Sequence, residues 1–302
     1  MTTYSIKELA ALSGIKPHTI RIWEQRYGII EPDRTETNIR TYSDEQLRFI
    51  LNVSFLNNNG YKISAIAKMK PEDVVEQVNR LSHSNFEYET QIQALNIAMV
   101  ELDEKRFEKI ISTNIIQYGF EHTMINIIFP FMDQVGRLWV TGAINPAHEH
   151  FITNLVRQKL IVAIDGTIVN ENENTKTILL FLPENENHEL GLLFTYYMFK
   201  KRNHHVVYLG ASVPYADLKV ISKIQKPDAL FTIMTLKQMD QSEEDYVDNL
   251  SKQFADCKIF VTGLVGKQLD ENRWGNVHVL TTMEDSLKLL DKMNGLETKV
   301  IN

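Results

Sequence analysis

Residues 177–191 read TILLFLPENENHELG, and the fold of the C-terminal part of the chain follows from this stretch. The apolar run at 177–182 has the length of a buried strand, Pro183 ends it, and apolar residues recur at helical spacing from Leu190 onward. A strand that leads through a short turn into a helix is typical of an α/β sheet. His188 therefore falls just beyond the carboxyl end of a strand, where open α/β sheets bind ligands.

The turn contains the pattern Glu-x-His-x-x-Gly, formed by Glu186, His188 and Gly191. A carboxylate two residues before a histidine can accept a hydrogen bond from one ring nitrogen and leave the other nitrogen to a metal. The glycine lets a bulky group approach the backbone. The pattern by itself leaves two interpretations open: a metal-ligating histidine, or a histidine that a polar, solvated loop carries by chance.

Strand and helix patterns alternate from residue 175 to 302, with short loops between them. Such alternation predicts a parallel sheet that helices cover on both faces. We expect the flavodoxin-like strand order 2-1-3-4-5, which puts the loop after the first strand, and with it His188, at the point where the strand order reverses. The last helix of the pattern is predicted at 284–293.

Composition excludes several classes of protein. The chain has 302 residues, a net charge of −7 and one cysteine, so it is neither a small disulfide scaffold nor a protein coated by nucleic acid. Cys257 lies at the entry to an apolar run and is expected to be buried. No apolar run reaches the length of a membrane span and the N-terminus lacks a signal-peptide pattern, so we expect a cytoplasmic protein without a membrane partner.

The charge is distributed unevenly along the chain. Residues 1–70 contain ten Lys and Arg against seven Asp and Glu, although the whole chain is acidic. A basic head on an acidic body predicts that contact with DNA is confined to one end of the molecule.

Residues 1–78 are predicted to form that head. Capping boxes start helices at Ser5 and at Ser43. Between them, Gly14 ends the first helix and Pro17 opens a second, and two short helices joined by a glycine-containing turn make a helix-turn-helix. The polar segment after the second helix is consistent with a β-hairpin wing.

The middle of the chain is predicted to be helical. Residues 79–90 are a polar break and are predicted to be a linker, and residues 91–170 carry four helical patterns that favour a four-helix bundle. Trp139 and the pair Glu149 and His150 are separated by nine residues that include a turn, so the three side chains can meet at one rim of the bundle. The alternative is a core tryptophan beside a histidine and a glutamate that cap the next helix.

The head resembles the winged helix-turn-helix of the MerR family, and WEQRYGIIEPDRT at 23–35 is similar to the cobalamin-linked branch of that family. The resemblance implies that a double-stranded DNA operator is a partner. It also implies two groups of DNA-contacting residues. Base edges are read by His18, Thr19 and Arg21, and phosphates are contacted by Arg26, Arg34, Arg40 and Tyr42.

The bundle resembles the cap of cobalamin-binding regulators of the CarH and LitR type. In that family the tryptophan packs over the upper face of the corrin, where the adenosyl group lies, and the glutamate and histidine line the same cavity, which implies these roles for Trp139, Glu149 and His150. In light-sensing members a histidine follows the tryptophan and binds cobalt after photolysis, but here that position is Val140. The lit product is then held by His148 or His150, or light acts without bis-histidine ligation, or the signal is not light.

The C-terminal part, 175–302, resembles the Rossmann-like cobalamin-binding domain. The resemblance implies that His188 is the lower cobalt ligand and that Glu186 orients it. The other cofactor-binding residues that it implies are Gly191, Thr232 and Gly263. Leu264 replaces the second glycine of the family pattern and is expected to narrow the channel for the nucleotide tail.

The whole chain is therefore expected to be a multidomain protein without enzymatic activity. It has a winged helix-turn-helix head, a four-helix bundle cap and a flavodoxin-like α/β domain. The resemblance implies a transcriptional regulator, most simply a repressor, that binds adenosylcobalamin and forms a homo-oligomer, either a dimer or a tetramer, whose assembly changes when light cleaves the cobalt–carbon bond. Two alternatives remain: a cobalamin-independent MerR-type regulator that senses another ligand or a partner protein, and a corrinoid carrier for methyl transfer, against which the head domain argues.

Overall fold

The computed structural model describes residues 3–84, 87–237, 241–282 and 285–289. The chain divides into two compact units, Met1–Val156 and Arg157–Asn302. The first unit contains the predicted head and most of the predicted bundle, and the second contains the sheet. No helix in the described part of the chain is both long and apolar enough to cross a membrane.

The N-terminal part of the first unit is a helix-turn-helix with a three-stranded sheet, as predicted. Its elements in chain order are β1 Thr3–Tyr4, α1 Ile6–Ser13, α2 Pro17–Tyr27, β2 Asp33–Arg34, β3 Arg40–Ser43, α3 Asp44–Asn58, α4 Ile63–Ile66 and α5 Pro71–Ser84. The hairpin β2–β3 is the predicted wing. β1 pairs with the other edge of β3, which gives the strand order β1-β3-β2.

Local sequence signals set the helix ends of the head. The side chain of Ser5 accepts a hydrogen bond from the Glu8 amide and Glu8 accepts one from the Ser5 amide, which is the predicted capping box. The second box, between Ser43 and Gln46, is formed in the same way. Gly14 ends α1 with φ of 71°, a left-handed conformation that glycine adopts without strain.

The rest of the first unit is helical. Its elements are α6 Tyr88–Val100, α7 Glu104–Tyr118, α8 Phe120–Thr123, a π-helical turn Met124–Ile128, α9 Phe129–Val140 and α10 Pro146–Asp165, whose last turns belong to the second unit. The sequence predicts one helix through 121–139 with a kink at Pro130. The structure instead has the π-helical turn before Pro130, because proline has no amide hydrogen to donate into the helix and its ring crowds the preceding turn.

The predicted linker at 79–90 is helical at both ends, because α5 extends to Ser84 and α6 begins at Tyr88. Ser82 and Thr90 of this segment are buried, and so is Gln91, which directly follows it. Gln91, 1% exposed, donates to the carbonyl of Ser82 at 3.1 Å and accepts from Asn114 at 2.8 Å. This buried chain of amides connects α5 of the head to α6 and α7 of the bundle. The division of the chain at 78, 90 and 170 stays a prediction.

The second unit is a five-stranded parallel sheet with helices on both faces. Its elements are β4 Thr177–Pro183, α11 Leu190–Lys201, β5 His205–Val213, α12 Tyr215–Ile224, β6 Ala229–Ile233, α13 Glu243–Gln253, β7 Lys258–Thr262 and β8 Val277–Val279. The strand order β5-β4-β6-β7-β8 is the predicted order 2-1-3-4-5. Of the helix predicted at 284–293, residues 285–289 are described and are helical. Residues 284 and 290–293 lie outside the described residues.

The central strand β6 shows how the two faces of the sheet are covered. Leu230 and Met234 pack with α12 and α13 in one apolar cluster. Phe231 packs against Phe199 of α11 on the opposite face, with ring centroids 6.2 Å apart. Because successive side chains of a strand point to opposite faces, the residues of β6 alternate between these two helical layers.

Candidate functional site

Glu186 is the centre of the loop that joins β4 to α11. It is 1% exposed and its carboxylate accepts four hydrogen bonds. Oε1 accepts from the Nδ1 of His188 at 2.5 Å and from the His188 amide at 3.1 Å. Oε2 accepts from the amides of Thr235 and Leu236, each at 2.8 Å. One carboxylate thus ties the loop after β4 to the loop after β6, at the carboxyl edge of the sheet.

These contacts determine the charge of Glu186. Burial alone raises the pKa of its carboxyl group, but the hydrogen bonds from His188, Leu236 and Thr235 outweigh burial and lower the pKa to about 2. The group is therefore ionised at neutral pH. Since a carboxylate is only an acceptor, the Nδ1 of His188 carries the proton of this hydrogen bond, and Nε2 is the ring nitrogen that could bind a metal.

His188 has the geometry of a metal ligand. Its side chain is 60% exposed, while the carboxylate behind it is buried. Metal-ligating histidines commonly donate their other ring N–H to a carboxylate, which fixes the ring orientation. The pair Glu186 and His188 therefore fits the role of lower axial ligand of cobalt in a cobalamin, with Nε2 as the ligating atom.

The neighbouring backbone holds this loop in an uncommon conformation. Asn185 and Ser212 both have positive φ, 67° and 53°. The amide of Asn185 donates to the Oγ of Ser212 at 3.1 Å, and the amide of Ser212 donates to the carbonyl of Glu186 at 3.1 Å. A positive φ is unfavourable for residues other than glycine, and such residues are concentrated at functional sites. The hydrogen bonds around Asn185 and Ser212 offset the free-energy cost of this conformation.

Gly191 lies in the first turn of α11, where the helix packs against β6. A Cβ at this position would lie 3.1 Å from the Cδ1 of Ile233. Ile233 thus faces α11, whereas its neighbour Thr232 is on the opposite face, with Leu230 and Met234. Thr232 is fully buried, and its hydroxyl has no hydrogen-bond partner among the described residues. Thr232 and Gly191 thus lie on opposite faces of the sheet, although the family resemblance implies that both belong to one cofactor site.

Gly263 is held by the backbone of Met234. Its φ is 102°, and a Cβ at this position would lie 2.6 Å from the carbonyl oxygen of Met234. The chain around it is fixed by hydrogen bonds from the amides of Val265 and Gly266 to that same oxygen. Leu264 is 70% exposed, so most of its side chain is accessible to solvent; its expected effect on the channel for the nucleotide tail stays a prediction.

In the first unit, Trp139 lies at the C-terminal end of α9. It is 53% exposed, and the following Val140 is 78% exposed. Trp139 is therefore not the core tryptophan of the alternative interpretation. An indole and a branched alkyl group next to each other make an apolar surface at this end of the bundle.

Glu149 and His150, at the start of α10, contact each other. The Nδ1 of His150 lies 2.6 Å from Oε2 of Glu149, and the hydroxyl of Thr153 donates to Oε1 at 2.6 Å. The side chain of His150 is 72% exposed. His148 is more buried than His150. Burial lowers the pKa of His148, and the charge of Asp44 opposes that shift only in part. The Nδ1 of His148 is buried and has no hydrogen-bond partner among the described residues.

The predicted DNA-contacting residues of α2 share one exposed face. His18, Arg21 and Arg26 are exposed and Thr19 is half-buried, while Ile20 and Trp23 pack in the core. In the wing, Arg34 is exposed and donates to the side-chain oxygen of Asn38 at 2.6 Å.

The structure corrects the role predicted for Tyr42. This side chain is fully buried, and its hydroxyl donates to Oε1 of Glu24 at 2.5 Å. Burial raises the pKa of Tyr42, and the bond to Glu24 raises it further. Tyr42 cannot contact a phosphate in this conformation, because its hydroxyl lies in the interface between the wing and α2. Arg40 of the same strand is bound to the other oxygen of Glu24 at 3.1 Å and is partly exposed.

Two features of these sites were not predicted from the sequence. Glu24 is in the interior of α2 with a side chain that is 5% exposed, and the unusual burial of a carboxylate has no marker in the helical pattern. The amides of Thr235 and Leu236 are backbone groups, so residue type carries no signal for them. The sequence indicates only that the apolar run at 229–234 ends there, which predicts the end of a strand but not the hydrogen bonds of the following amides.

The sequence matches two family descriptions. Residues 4–73 match "MerR HTH family regulatory protein" and residues 91–163 match "B12 binding domain". The first match covers the helix-turn-helix and the wing, and the second covers the helices that carry Trp139 and the pair Glu149 and His150.

Two relatives from Myxococcus xanthus are similar over most of their length. The "HTH-type transcriptional repressor CarH" is 27% identical over 258 residues, which is 83% of this chain and 84% of the relative. The "HTH-type transcriptional repressor CarA" is 26% identical over 271 residues, which is 88% of each chain.

A solved structure shares the fold of about two thirds of this chain. The monomethylamine corrinoid protein of Methanosarcina barkeri aligns with a TM-score of 0.50 at 14% identity, over 65% of this chain and 94% of that protein. At this identity the likeness concerns the fold alone. The chain therefore joins a MerR helix-turn-helix head to a B12-binding domain and is homologous to the CarH and CarA transcriptional repressors.

Proposed function

We propose that this chain is a transcriptional repressor whose binding to double-stranded DNA is controlled by adenosylcobalamin. The two domain matches and the CarH and CarA homologues support a DNA-binding regulator that cobalamin controls and that is not an enzyme. The adenosyl form, the assembly of several chains and a response to light are further parts of our proposal. A regulator of chromosomal genes acts in the cytoplasm, where we place this chain.

The pair Glu186 and His188 carries the cofactor part of the proposal. An ionised, buried carboxylate orients an exposed imidazole at the carboxyl edge of a parallel sheet, at the position where the strand order reverses. We assign His188 as the lower cobalt ligand and Glu186 as the residue that positions it. Gly191 and Gly263 are proposed to border the cofactor, and Thr232 is proposed to contact it only if the strand face it occupies becomes accessible.

The cap residues are proposed to contact the upper side of the cofactor. Bound adenosylcobalamin would supply a cobalt–carbon bond that light can cleave. Trp139 offers an exposed indole to the adenosyl group, and Glu149 and His150 offer hydrogen-bonding groups. The orientation of His150 by Glu149 resembles the orientation of His188 by Glu186, with N···O distances of 2.6 and 2.5 Å.

Val140 bears on the proposal that light is the signal. Valine has no lone pair, so it does not bind cobalt after photolysis. We propose that His150 takes that role in the lit state, since its ring is exposed and its Nδ1 is already engaged by Glu149. His148 is the less suitable histidine because its Nδ1 is buried.

Control of DNA binding is proposed to act through assembly. A single helix-turn-helix head makes few DNA contacts, and joining two or four heads raises the affinity for an operator with repeated half-sites. A ligand that favours the assembled state therefore favours repression, and a change at the cofactor that favours separate chains releases the operator.

The proposal is tested by cofactor retention and by assembly. Purified protein is mixed with adenosylcobalamin in darkness and desalted, and its visible absorption, its mass in solution and its binding to a selected operator are measured before and after green light. We expect the wild-type protein to retain cofactor and the His188→Ala variant to lose it. We also expect light to lower both the mass and the operator affinity.

A matched control is the His205→Ala variant. His205 is also exposed, lies in the same sheet and is paired with a carboxylate, that of Glu171 at 2.8 Å, but it is at the amino end of β5. Retention by His205→Ala together with loss by His188→Ala supports the assignment. Equal retention by both variants removes His188 as the ligand, and wild-type protein that retains no cofactor leaves a MerR-type regulator that responds to another ligand or a partner protein.

A further inference from the structure

Ile22 breaks the polar pattern on the exposed face of α2. The other large aliphatic residue of this helix, Ile20, is fully buried, and Trp23 is 7% exposed. Ile22 is 38% exposed. The core of the head is thus complete without it.

Helix geometry places Ile22 at the middle of the exposed face. Residues three or four apart lie next to each other on a helix. His18, Ile22 and Arg26 form one row at intervals of four, and Arg21 and Gln25 form the adjacent row; all five are exposed. The arginines lie toward the edges of this face, and Ile22 lies at the middle of its row, between His18 and Arg26 and next to Gln25.

An exposed isoleucine on a protein surface is ordinary and by itself needs no explanation. Ile22, however, lies in the middle of the helix that is proposed to contact DNA bases, where its side chain would face the major groove. The two arginines are suited to phosphates and guanine, and His18 and Gln25 are suited to hydrogen bonding with base edges. An alkyl side chain has no hydrogen bond to offer, and the apolar group that the major groove presents is the C5 methyl of thymine.

We propose that Ile22 is a specificity-determining residue that contacts a thymine methyl group in each half-site of the operator. The inference rests on the proposed binding of DNA through α2 and adds to it the base that the centre of the helix selects. Removing one methyl group from such a contact lowers affinity about fourfold, which corresponds to the transfer of a single buried carbon from an apolar contact to water.

The test uses the full-length protein. Binding sites are selected from a random duplex library, and each thymine of the selected site is then replaced singly by deoxyuridine, which removes the C5 methyl and leaves base pairing intact. We expect the wild-type protein to lose affinity about fourfold at one thymine per half-site. In the Ile22→Ala variant, thymine and deoxyuridine at that position are expected to bind equally, while Ile22→Val is expected to keep most of the difference.

Two controls separate a methyl contact from general damage. Ile116→Ala removes an isoleucine that is 85% exposed on α7, outside the recognition helix, and is expected to keep the full thymine preference. Ile22→Ala removes no charge, so the dependence of its affinity on salt concentration is expected to match the wild type. A changed salt dependence would mean that the variant alters phosphate contacts and would count against the proposal.

The outcomes distinguish this inference from the function on which it rests. If the wild-type protein selects no site, the proposed DNA-binding function fails, and the inference fails with it. If it selects a site but deoxyuridine binds as well as thymine at every position, or the site contains no thymine, only the role of Ile22 is overturned. The same conclusion follows if Ile22→Ala keeps the wild-type preference for thymine.

Discussion

The hydroxyl of Tyr42 donates a hydrogen bond to the carboxylate of Glu24, 2.5 Å away, and thereby joins the wing to the recognition helix. Arg40 binds the second oxygen of the same carboxylate at 3.1 Å. Both donors come from β3, and the acceptor comes from the interior of α2. The wing therefore has a fixed position relative to α2, and Arg40 is held where its outer part is accessible to solvent.

The Tyr42→Phe variant is expected to destabilise the head by about 1.5–3 kcal/mol, because a hydrogen bond to a buried charge is lost. Hydrogen exchange of the β3 and α2 amides measures the effect, and operator affinity is expected to fall with it. The control is Tyr61→Phe, whose hydroxyl donates to the neutral Gln77 at 3.3 Å in the same unit. A larger effect at Tyr61 than at Tyr42 would contradict this account of the wing.

The Glu186→Gln variant is expected to bind cobalamin about 10- to 100-fold more weakly, as is typical when the carboxylate behind a metal-ligating histidine is removed. The amide keeps one acceptor oxygen but cannot accept all four hydrogen bonds, so the His188 ring loses its fixed orientation. Titration of the visible absorption measures the affinity. The matched control, Glu171→Gln, removes the carboxylate partner of His205 and is expected to leave the affinity unchanged.

Glu186 also predicts how stability depends on pH. Hydrogen bonds in the folded state lower its pKa from the ordinary 4.5 to about 2, so the folded protein binds the proton less readily than the unfolded chain. The resulting stabilisation is complete above about pH 4.5 and is lost as pH falls toward 2. The difference in unfolding free energy between wild type and Glu186→Gln, measured by hydrogen exchange of β4 and β6 amides, should therefore shrink on acidification; a constant difference would be inconsistent with this pKa.

Gly263→Ala is expected to destabilise the second unit by roughly 2–4 kcal/mol, since it adds a strained φ and a steric clash. The new Cβ would lie 2.6 Å from the Met234 carbonyl oxygen, and backbone does not move aside as a flexible side chain does. Faster hydrogen exchange in β6 and β7 reports the effect. Gly275→Ala, where a Cβ meets no atom within 4 Å, should change stability by less than about 0.5 kcal/mol.

The Val140→His substitution places a histidine directly after Trp139. This is the position at which the family resemblance implies a cobalt-binding histidine in light-sensing members. Because Val140 is 78% exposed, the substitution should change stability by less than about 0.5 kcal/mol. Since His150 is the proposed lit-state ligand, the test is made in the His150→Ala variant: adding Val140→His to it should return the absorption spectrum of the illuminated, cofactor-loaded protein to that of the wild type. Val162→His, at another exposed valine, is the control and should not restore the spectrum of the His150→Ala variant; failure of Val140→His to restore it would refute the proposal that residue 140 lies near the cofactor.

Local signals in the sequence were sufficient for much of the fold. Both capping boxes, the glycine at the end of α1 and the strand order of the sheet were predicted and are confirmed. The pairing of His188 with Glu186 was also predicted, since residues two apart in a turn are able to meet without help from the rest of the fold. These features depend on neighbours in sequence or on the simple alternation of strands and helices.

The remaining errors have long-range causes. Tyr42 was expected on the DNA surface because nothing near it in sequence shows that Glu24, 18 residues away, takes its hydroxyl. The sequence does not show which face of the sheet Thr232 occupies, because the segment LFTIM has no regular alternation of polar and apolar residues. A shift of the strand by one residue would move Thr232 to the other face. Gln91 directly follows the predicted linker, and nothing in its local sequence shows that its buried side chain pairs with Asn114, 23 residues away.

The link from Ser82 through Gln91 to Asn114 has a geometric consequence for the operator. It ties the end of α5 to α6 and α7, so a symmetrical arrangement of chains that keeps these hydrogen bonds presents its recognition helices at a set spacing and rotational phase. Such a protein measures the separation of its half-sites in turns of the double helix. Half a turn of inserted DNA, about five base pairs, would place the second half-site on the far side of the duplex, away from the second recognition helix.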